Sequence, residues 1–298
     1  MKHLFYLLAV IVIASSISAC NTPATQKEIV KTNSVTAIHN HGINIAFTDT
    51  GKSDTTLLFI HGWAINKGYW ADQLSYFGKK YRFVAIDLPG FGQSGKDRSK
   101  WDTKTYSNDI DSVIKELKLK QVILIGHSMS GDIALQAAIE NPTQVIGLIG
   151  VDNFKNAGEP QNPEAKKQLA AALQAMKHNF KKIAYQYINE SLFSKNTPAA
   201  IKKRVLNDVA HADTTIAVAS MEQQDPDFDE IAKLKQYGKK LYLISSDVTP
   251  TVTKYLSAQN IPFKIYYTKG TGHYAMVETP QQFNALLDEA IADIRKHR

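Results

Sequence analysis

Short apolar runs alternate with helical patterns along the chain from about residue 34 onward. The middle runs, such as "TTLLFIH" and "QVILIG", are continuously apolar, which is typical of strands covered on both faces. The predicted strands are 34–39, 43–49, 55–61, 81–87, 121–126, 144–152, 240–247 and 263–269. Helical patterns lie between them, for example at 109–119 and 132–140. This alternation predicts an α/β fold with a mostly parallel eight-stranded sheet, helices on both faces and an antiparallel edge formed by the first two strands.

One long interval interrupts the alternation of strands and helices. Nearly ninety residues separate Asp152 from Lys240, and a simple crossover between strands needs far fewer. The interval contains helical patterns, and Pro163 and Pro198 lie near helix starts, where the first turn tolerates proline. We therefore expect a domain spanning 34–298 with a helical cap inserted at about 155–225.

The N-terminal residues have the pattern of an export signal. Lys2 precedes an apolar run of eleven residues, which is too short for a stable transmembrane helix, so we expect a signal peptide over 1–19. The stretch "ISAC" resembles the lipobox of bacterial lipoproteins, and this resemblance implies cleavage before Cys20 and lipidation of that cysteine. The lipidated N-terminus and polar tether would then span 20–33 and anchor the domain in a bacterial cell envelope, at the outer membrane or its periplasmic face. An ordinary signal peptide cleaved after a small residue is the alternative.

Charge and cysteine content narrow the possible partners. The net charge is +7, and residues 155–212 carry ten Lys or Arg against four acids. This segment could attract anionic substrates or lipid headgroups, or it could simply be a set of solvated helix faces. Aromatic residues do not alternate with the basic ones, so we expect no nucleic-acid partner. The single cysteine excludes an intramolecular disulfide.

The segment "GHSMSG", residues 126–131, directly follows a predicted strand and holds two serines. A nucleophilic serine at a strand-to-helix elbow needs small residues two positions before and after it, because the backbone there is strained. Ser128 meets this condition with Gly126 and Ser130, whereas Ser130 would have Asp132 as one of these neighbours. Ser128 is therefore the predicted nucleophile.

Three further motifs occur in the order expected for one superfamily. They are "FIHGW" at 59–63, "AIDLPGFGQSG" at 85–95 and "GTGHYAMVETPQQFN" at 270–284. With the serine elbow, they make the chain from about residue 34 onward resemble the α/β-hydrolase superfamily. The resemblance implies a catalytic triad in the order serine, acid, histidine, and His273 is the histidine that follows a core strand on a glycine-rich loop.

Two carboxylates could be the acid of this triad. Asp247 and Asp152 both end predicted strands, so both would point to the carboxyl edge of the sheet. We prefer Asp247, which matches the commoner family position after the seventh strand, and keep Asp152 as the alternative. The resemblance also implies an oxyanion hole made by the backbone N–H groups of Trp63 and Met129, with His61 orienting the loop.

These residues predict a serine hydrolase that acts on a small-molecule acyl substrate, most simply a carboxylic ester, without a cofactor. Enzymes that the chain resembles use the same triad on lactones, thioesters, amides and carbon–carbon bonds, or for perhydrolysis. A non-catalytic binding or scaffolding protein on the same fold is the rival prediction. We expect no metal site, since His39 and His41 offer two ligands at most and "DPDFDE" lacks the spacing of a calcium loop.

Overall fold

The computed structural model describes residues 37–40, 42–51, 53–160, 162–223 and 228–297. Its strands are β1 (Ala37–Asn40), β2 (Ile43–Asp49), β3 (Thr56–Ile60), β4 (Arg82–Ile86), β5 (Val122–His127), β6 (Val145–Val151), β7 (Leu241–Ser246) and β8 (Phe263–Thr268). They form one sheet in the order β1-β2-β4-β3-β5-β6-β7-β8. Only the β1–β2 and β2–β4 pairs are antiparallel. The predicted α/β class and mostly parallel sheet are confirmed. The expected signal peptide, Cys20, the tether and His41 lie outside the described residues.

The central strands are buried on both faces, as their continuous apolar sequences predicted. Every residue of β3 is buried, and Leu58 lies opposite Val84 of β4 and Leu124 of β5. Burial of side chains of this size contributes roughly 1.5 to 3 kcal/mol each. The parallel strands β3 to β8 bring their carboxyl ends to one edge of the sheet, where the predicted site residues lie.

Helices cover the sheet in two groups. The helices are α1 (Ala71–Phe77), α2 (Thr103–Glu116), α3 (Ser130–Glu140), α4 (Pro163–Tyr187), α5 (Ala199–His211), α6 (Thr214–Glu222), α7 (Glu230–Tyr237), α8 (Lys254–Ala258), α9 (Ala275–Glu278) and α10 (Pro280–Lys296). Helices α2, α3 and α7 pack together on one side, and α1, α9 and α10 pack together on the other. Helix α2 begins six residues before the predicted 109, because Asp102 caps it by accepting a hydrogen bond from the Thr105 amide at 2.6 Å.

The interval between β6 and β7 is helical, and α4 to α6 together are termed the insert here. Helix α4 is broken at Asn179, whose φ of −146° and ψ of 60° are not helical, and a π-helical turn over Ile188–Leu192 extends it. The Trp63 indole Nε1 donates to the Ala217 carbonyl at 2.7 Å and so joins the insert to the core. Among the described residues, no helix is both long and apolar enough to cross a membrane.

Candidate active site

Ser128 lies in a sharp turn between β5 and α3. Its φ of 54° is in the left-handed region, which costs a residue with a Cβ about 1 to 3 kcal/mol. Hydrogen bonds on both sides hold the turn: the Ser128 amide donates to the Val151 carbonyl at 2.9 Å, and the Ser128 carbonyl accepts from the Gly131 amide at 2.9 Å. The strain is therefore supported by the neighbouring strand and by the first turn of α3.

Packing at the turn distinguishes the two serines. A Cβ on Gly126 would lie 2.3 Å from the Ser130 carbonyl oxygen, so strand and helix approach too closely for a larger residue. Ser130 is fully buried, and its Oγ donates to the His61 carbonyl at 2.5 Å. Ser128 is half-buried and lines a cavity of about 200 Å³. Ser130 is thus a packing residue, and Ser128 is the hydroxyl that faces open space.

His273 lies on the loop after β8 and lines the same cavity as Ser128. Its backbone amide donates to the Leu192 carbonyl at 2.8 Å, which fixes the loop against the insert. Its Nδ1 lies 2.5 Å from Asp152 Oδ2. Because a carboxylate accepts, Nδ1 donates this hydrogen bond, and Nε2 is the ring nitrogen on the side away from Asp152.

The structure places Asp152, not the preferred Asp247, against His273. Asp152 is buried after β6, and its Oδ1 accepts from the Ser246 amide at 2.8 Å. Burial alone would raise the pKa of Asp152, but the hydrogen bonds and charges of His273 and Lys155 outweigh it and hold the pKa below its usual range.

Asp247 has a different partner in the structure. It is exposed at the end of β7, and its Oδ1 accepts from the Gly270 amide at 2.9 Å. Its own amide pairs with the Thr268 carbonyl of β8 at 3.2 Å. The carboxylate therefore stabilises the turn that leads to His273, and does not reach the imidazole. Both aspartates end a strand, but only Asp152 contacts the histidine, so the geometry favours the alternative acid over the preferred Asp247.

The loop after β3 approaches the serine closely. A Cβ on Gly62 would lie 2.6 Å from His127 Nδ1 and 3.1 Å from Ser128 Cβ, so only glycine allows this approach. Trp63 and Met129, the residues expected to supply oxyanion-hole amides, both line the cavity beside Ser128. In the described part of the chain their backbone amides donate to no backbone carbonyl or side chain. Two amide donors next to a serine hydroxyl suit a developing oxyanion.

His61 fixes the backbone of this loop from inside the core. Its Nε2 accepts from the Leu88 amide at 2.9 Å, so Nδ1 carries the proton and donates to the Gly62 carbonyl at 2.7 Å. Burial lowers the pKa of His61, which keeps the ring neutral. The ring links the loops after β3 and β4, in agreement with the predicted orienting role.

A second histidine beside the serine was missed by the sequence reasoning. His127 is fully buried, and its Nε2 donates to the His273 carbonyl at 2.9 Å. Burial, with the charge of His273 as a further cause, lowers the pKa of His127 to about 3. The ring therefore stays neutral and holds the His273 loop, and only its position directly before Ser128 hinted at this.

The walls of the cavity combine polar groups with aromatic and aliphatic side chains. Besides Ser128, His127 and His273, the lining consists of Trp63, Met129, Tyr187, Leu192, Met221 and Tyr274. Tyr187 at the end of α4 lies in this lining, whereas Phe180 packs on Trp63 and Phe193 on Tyr274. The Tyr185 hydroxyl donates to the Leu206 carbonyl at 3.0 Å, away from the cavity.

The remaining candidate residues form no second site. His39 is exposed on β1, opposite Asn44. Within the described ranges, no group of three or more His, Cys, Asp or Glu side chains could hold a metal ion. The acidic segment 225–230 lies partly outside those ranges.

Comparison with known proteins agrees with the fold. Residues 55–182 match the family described as alpha/beta hydrolase fold. An esterase of known structure from Exiguobacterium antarcticum superposes with a TM-score of 0.75 at 20% identity, over 87% of this chain and 99% of that one. The chain therefore has the α/β-hydrolase fold.

Two curated relatives show how far the similarity extends. The dihydrolipoyllysine-residue acetyltransferase component of the acetoin cleaving system of Cupriavidus necator is 22% identical over 83% of this chain and 66% of its own length. The pimeloyl-[acyl-carrier protein] methyl ester esterase of Yersinia enterocolitica is 32% identical over 35% of this chain and 38% of its own length. The chain thus spans between about a third and two thirds of the curated relatives it matches.

Proposed function

We propose that the protein is a serine hydrolase that cleaves a carboxylic ester through an acyl-enzyme, with Ser128, His273 and Asp152 as its triad. The observation that carries the proposal is the cavity that Ser128 and His273 share, together with the 2.5 Å contact between His273 and Asp152. The fold and the esterase among its relatives support the same class of reaction.

The reaction follows from this geometry. His273 Nε2 takes the hydroxyl proton as Ser128 Oγ attacks the substrate carbonyl, and Asp152 stabilises the imidazolium that forms. The amides of Trp63 and Met129 stabilise the oxyanion, each contributing about 3 kcal/mol at the transition state. The imidazolium then protonates the leaving alcohol, and a water molecule activated by His273 releases the acyl group from Ser128.

The cavity limits the size of the substrate. An apolar cavity of about 150 Å³ holds a benzene molecule, and this one measures about 200 Å³. Its walls include Leu192, Met221 and Trp63 but no Lys, Arg, Asp or Glu side chain among its described lining. The preferred acyl group is therefore short or singly aromatic, and uncharged.

A fluorophosphonate probe and a panel of p-nitrophenyl esters test the proposal. We expect covalent labelling and ester turnover in the wild type and in Ser130→Ala, and neither in Ser128→Ala. Ser130→Ala removes a hydroxyl two residues away and serves as the matched control. Folded wild-type protein that takes up no probe and cleaves no ester, lactone or amide would favour the binding protein instead.

We also propose that Cys20 is lipidated and anchors the domain in a bacterial envelope. The proposal rests on the "ISAC" sequence and on the apolar run before it. Metabolic labelling with a radioactive fatty acid, followed by membrane fractionation, tests it. Label in the wild type that disappears in Cys20→Ala supports the anchor, whereas release of unlabelled wild type into the soluble fraction contradicts it.

A further inference from the structure

Lys155 makes a contact that the mechanism above does not use. It follows β6, and its Nζ lies 2.5 Å from Oδ1 of Asp152, the carboxylate oxygen that does not contact His273. The same Nζ donates to the Thr249 carbonyl at 2.8 Å and to the Ser246 carbonyl at 3.3 Å. The Lys155 side chain is 19% exposed, so both ends of the ion pair are largely shielded from water.

The contacts of Lys155 span two neighbouring strand ends. Asp152 follows β6, whereas Ser246 is the last residue of β7. The ammonium therefore ties the carboxylate to the carboxyl edge of the next strand. With the Ser246 amide on the same oxygen, it leaves Oδ2 as the oxygen directed to His273.

Lys155 contributes a positive charge to the surroundings of His273. The titratable groups near the imidazole and its carboxylate are Asp152 and Lys155 after β6, His127 at the end of β5, Tyr187 from α4, and Tyr274 and Glu278 after His273. His127 is neutral, and burial raises the pKa of Tyr187 and Tyr274, so these three carry no charge near pH 7. The Glu278 carboxylate accepts from the Gly272 and Tyr274 amides and, like Asp152, favours a protonated imidazole. The positive charge of Lys155 has the opposite effect.

We propose that Lys155 is a positioning residue of the triad, an inference that rests on the proposed function. Its ammonium fixes the Asp152 carboxylate toward His273 and, as a nearby cation, opposes protonation of the imidazole. His273 can then act as a base at lower pH than it could beside an unopposed carboxylate. The ammonium and the imidazole each lie 2.5 Å from a different oxygen of one carboxylate, so they are close enough for their charges to interact.

NMR titration of the His273 ring and the pH profile of kcat/KM test this proposal. In Lys155→Met, and equally in Lys155→Gln, we expect the titration midpoint and the acid limb of kcat/KM to move up by about 0.5 to 1 pH unit. Lys155→Arg should return both to wild-type values, because it keeps the charge. His273→Gln identifies the ring signal.

Lys239→Met is the matched control. The Lys239 ammonium also binds backbone carbonyls, those of Val145 and Pro142, but at the other end of β6, roughly 20 Å away along a strand of this length. Its removal should leave the midpoint unchanged. Folded Lys155→Met and Lys155→Gln proteins with a wild-type midpoint would overturn the proposal. The NMR readout needs no turnover, so its result is separate from that of the Ser128→Ala test of the proposed function.

Discussion

Replacing Asp152 with asparagine tests the acid of the triad most directly. Asparagine keeps the shape of the side chain, but its uncharged amide cannot stabilise an imidazolium or hold His273 reliably with the proton on Nδ1. In a triad of this kind, the same change lowers kcat by about 10⁴-fold, which corresponds to about 5 kcal/mol of transition-state stabilisation. We expect a loss of this size for Asp152→Asn with a short p-nitrophenyl ester.

Asp247→Asn is the comparison that separates the two aspartates. Asp247 is exposed and accepts one hydrogen bond, from the Gly270 amide. An asparagine oxygen can still accept that bond, and a hydrogen bond of this kind contributes about 0.5 to 1.5 kcal/mol. We therefore expect Asp247→Asn to keep kcat/KM within a few-fold of wild type.

The two variants also differ in stability, which must be measured beside the rates. Asp152→Asn leaves the Lys155 ammonium without its carboxylate in a largely buried position, and breaking a buried ion pair costs about 3 to 5 kcal/mol. Adding Lys155→Met should restore much of the thermal stability of Asp152→Asn but none of its activity. If Asp247→Asn lost activity while folded Asp152→Asn kept it, the assignment of the acid from the structure would be refuted.

Three further predictions follow from single contacts. Gly62→Ala should lower kcat/KM by about 10²-fold while the protein stays folded. The added Cβ would lie 2.6 Å from His127 Nδ1 and displace the loop that carries Trp63. Wild-type kinetics in this variant would contradict the close approach. Met221→Ala should shift the preferred p-nitrophenyl ester toward longer acyl chains by enlarging the cavity, and an unchanged chain-length profile would show that Met221 does not limit it. Glu230→Gln should stabilise the protein increasingly between about pH 4.5 and 8 in chemical unfolding. Burial and the charge of Asp132 raise the pKa of Glu230 to about 8, so in this range the unfolded wild type ionises while the folded protein stays protonated, and the wild type loses stability. Parallel pH profiles would refute this.

The sequence predicted the elements whose signals are local. The predicted strands agree with all eight observed strands to within three residues at either end, and the middle ones were recognised because continuous apolar runs leave no polar face for water. Ser128 could be chosen over Ser130 from the size of the flanking residues alone. The break at Asn179 and the π-helical turn that follows leave no comparable pattern, since the apolar spacing of α4 continues through them.

The acid could not be chosen from the sequence for a physical reason. Asp152 and Asp247 each end a parallel strand, so the sequence places both at the same edge of the sheet. The direction of each aspartate side chain depends on contacts with residues far away in the sequence. The Asp152 amide pairs with the Ile244 carbonyl of β7 at 2.9 Å, and its φ of 49° turns the side chain out of the strand path, whereas Asp247 pairs with β8. Resemblance to the superfamily favoured the commoner position, whereas in the structure Asp152 is the aspartate that contacts His273.

Two residues that differ from the usual family pattern are each held in place by a specific hydrogen bond. The hydroxyl of Ser130, where glycine is usual, donates to the His61 carbonyl and so fastens α3 to the loop that carries the Trp63 amide. The acid after β6 lies next to the nucleophile strand, and the Ser128 amide donates to Val151, the residue directly before Asp152. A shift of the serine turn would therefore move the carboxylate with it. Adjacent backbone thus couples Ser128, Asp152 and the loop after β3, whereas the His273 loop is positioned separately, by Leu192 of the insert, by Asp247 and by the neutral His127 ring.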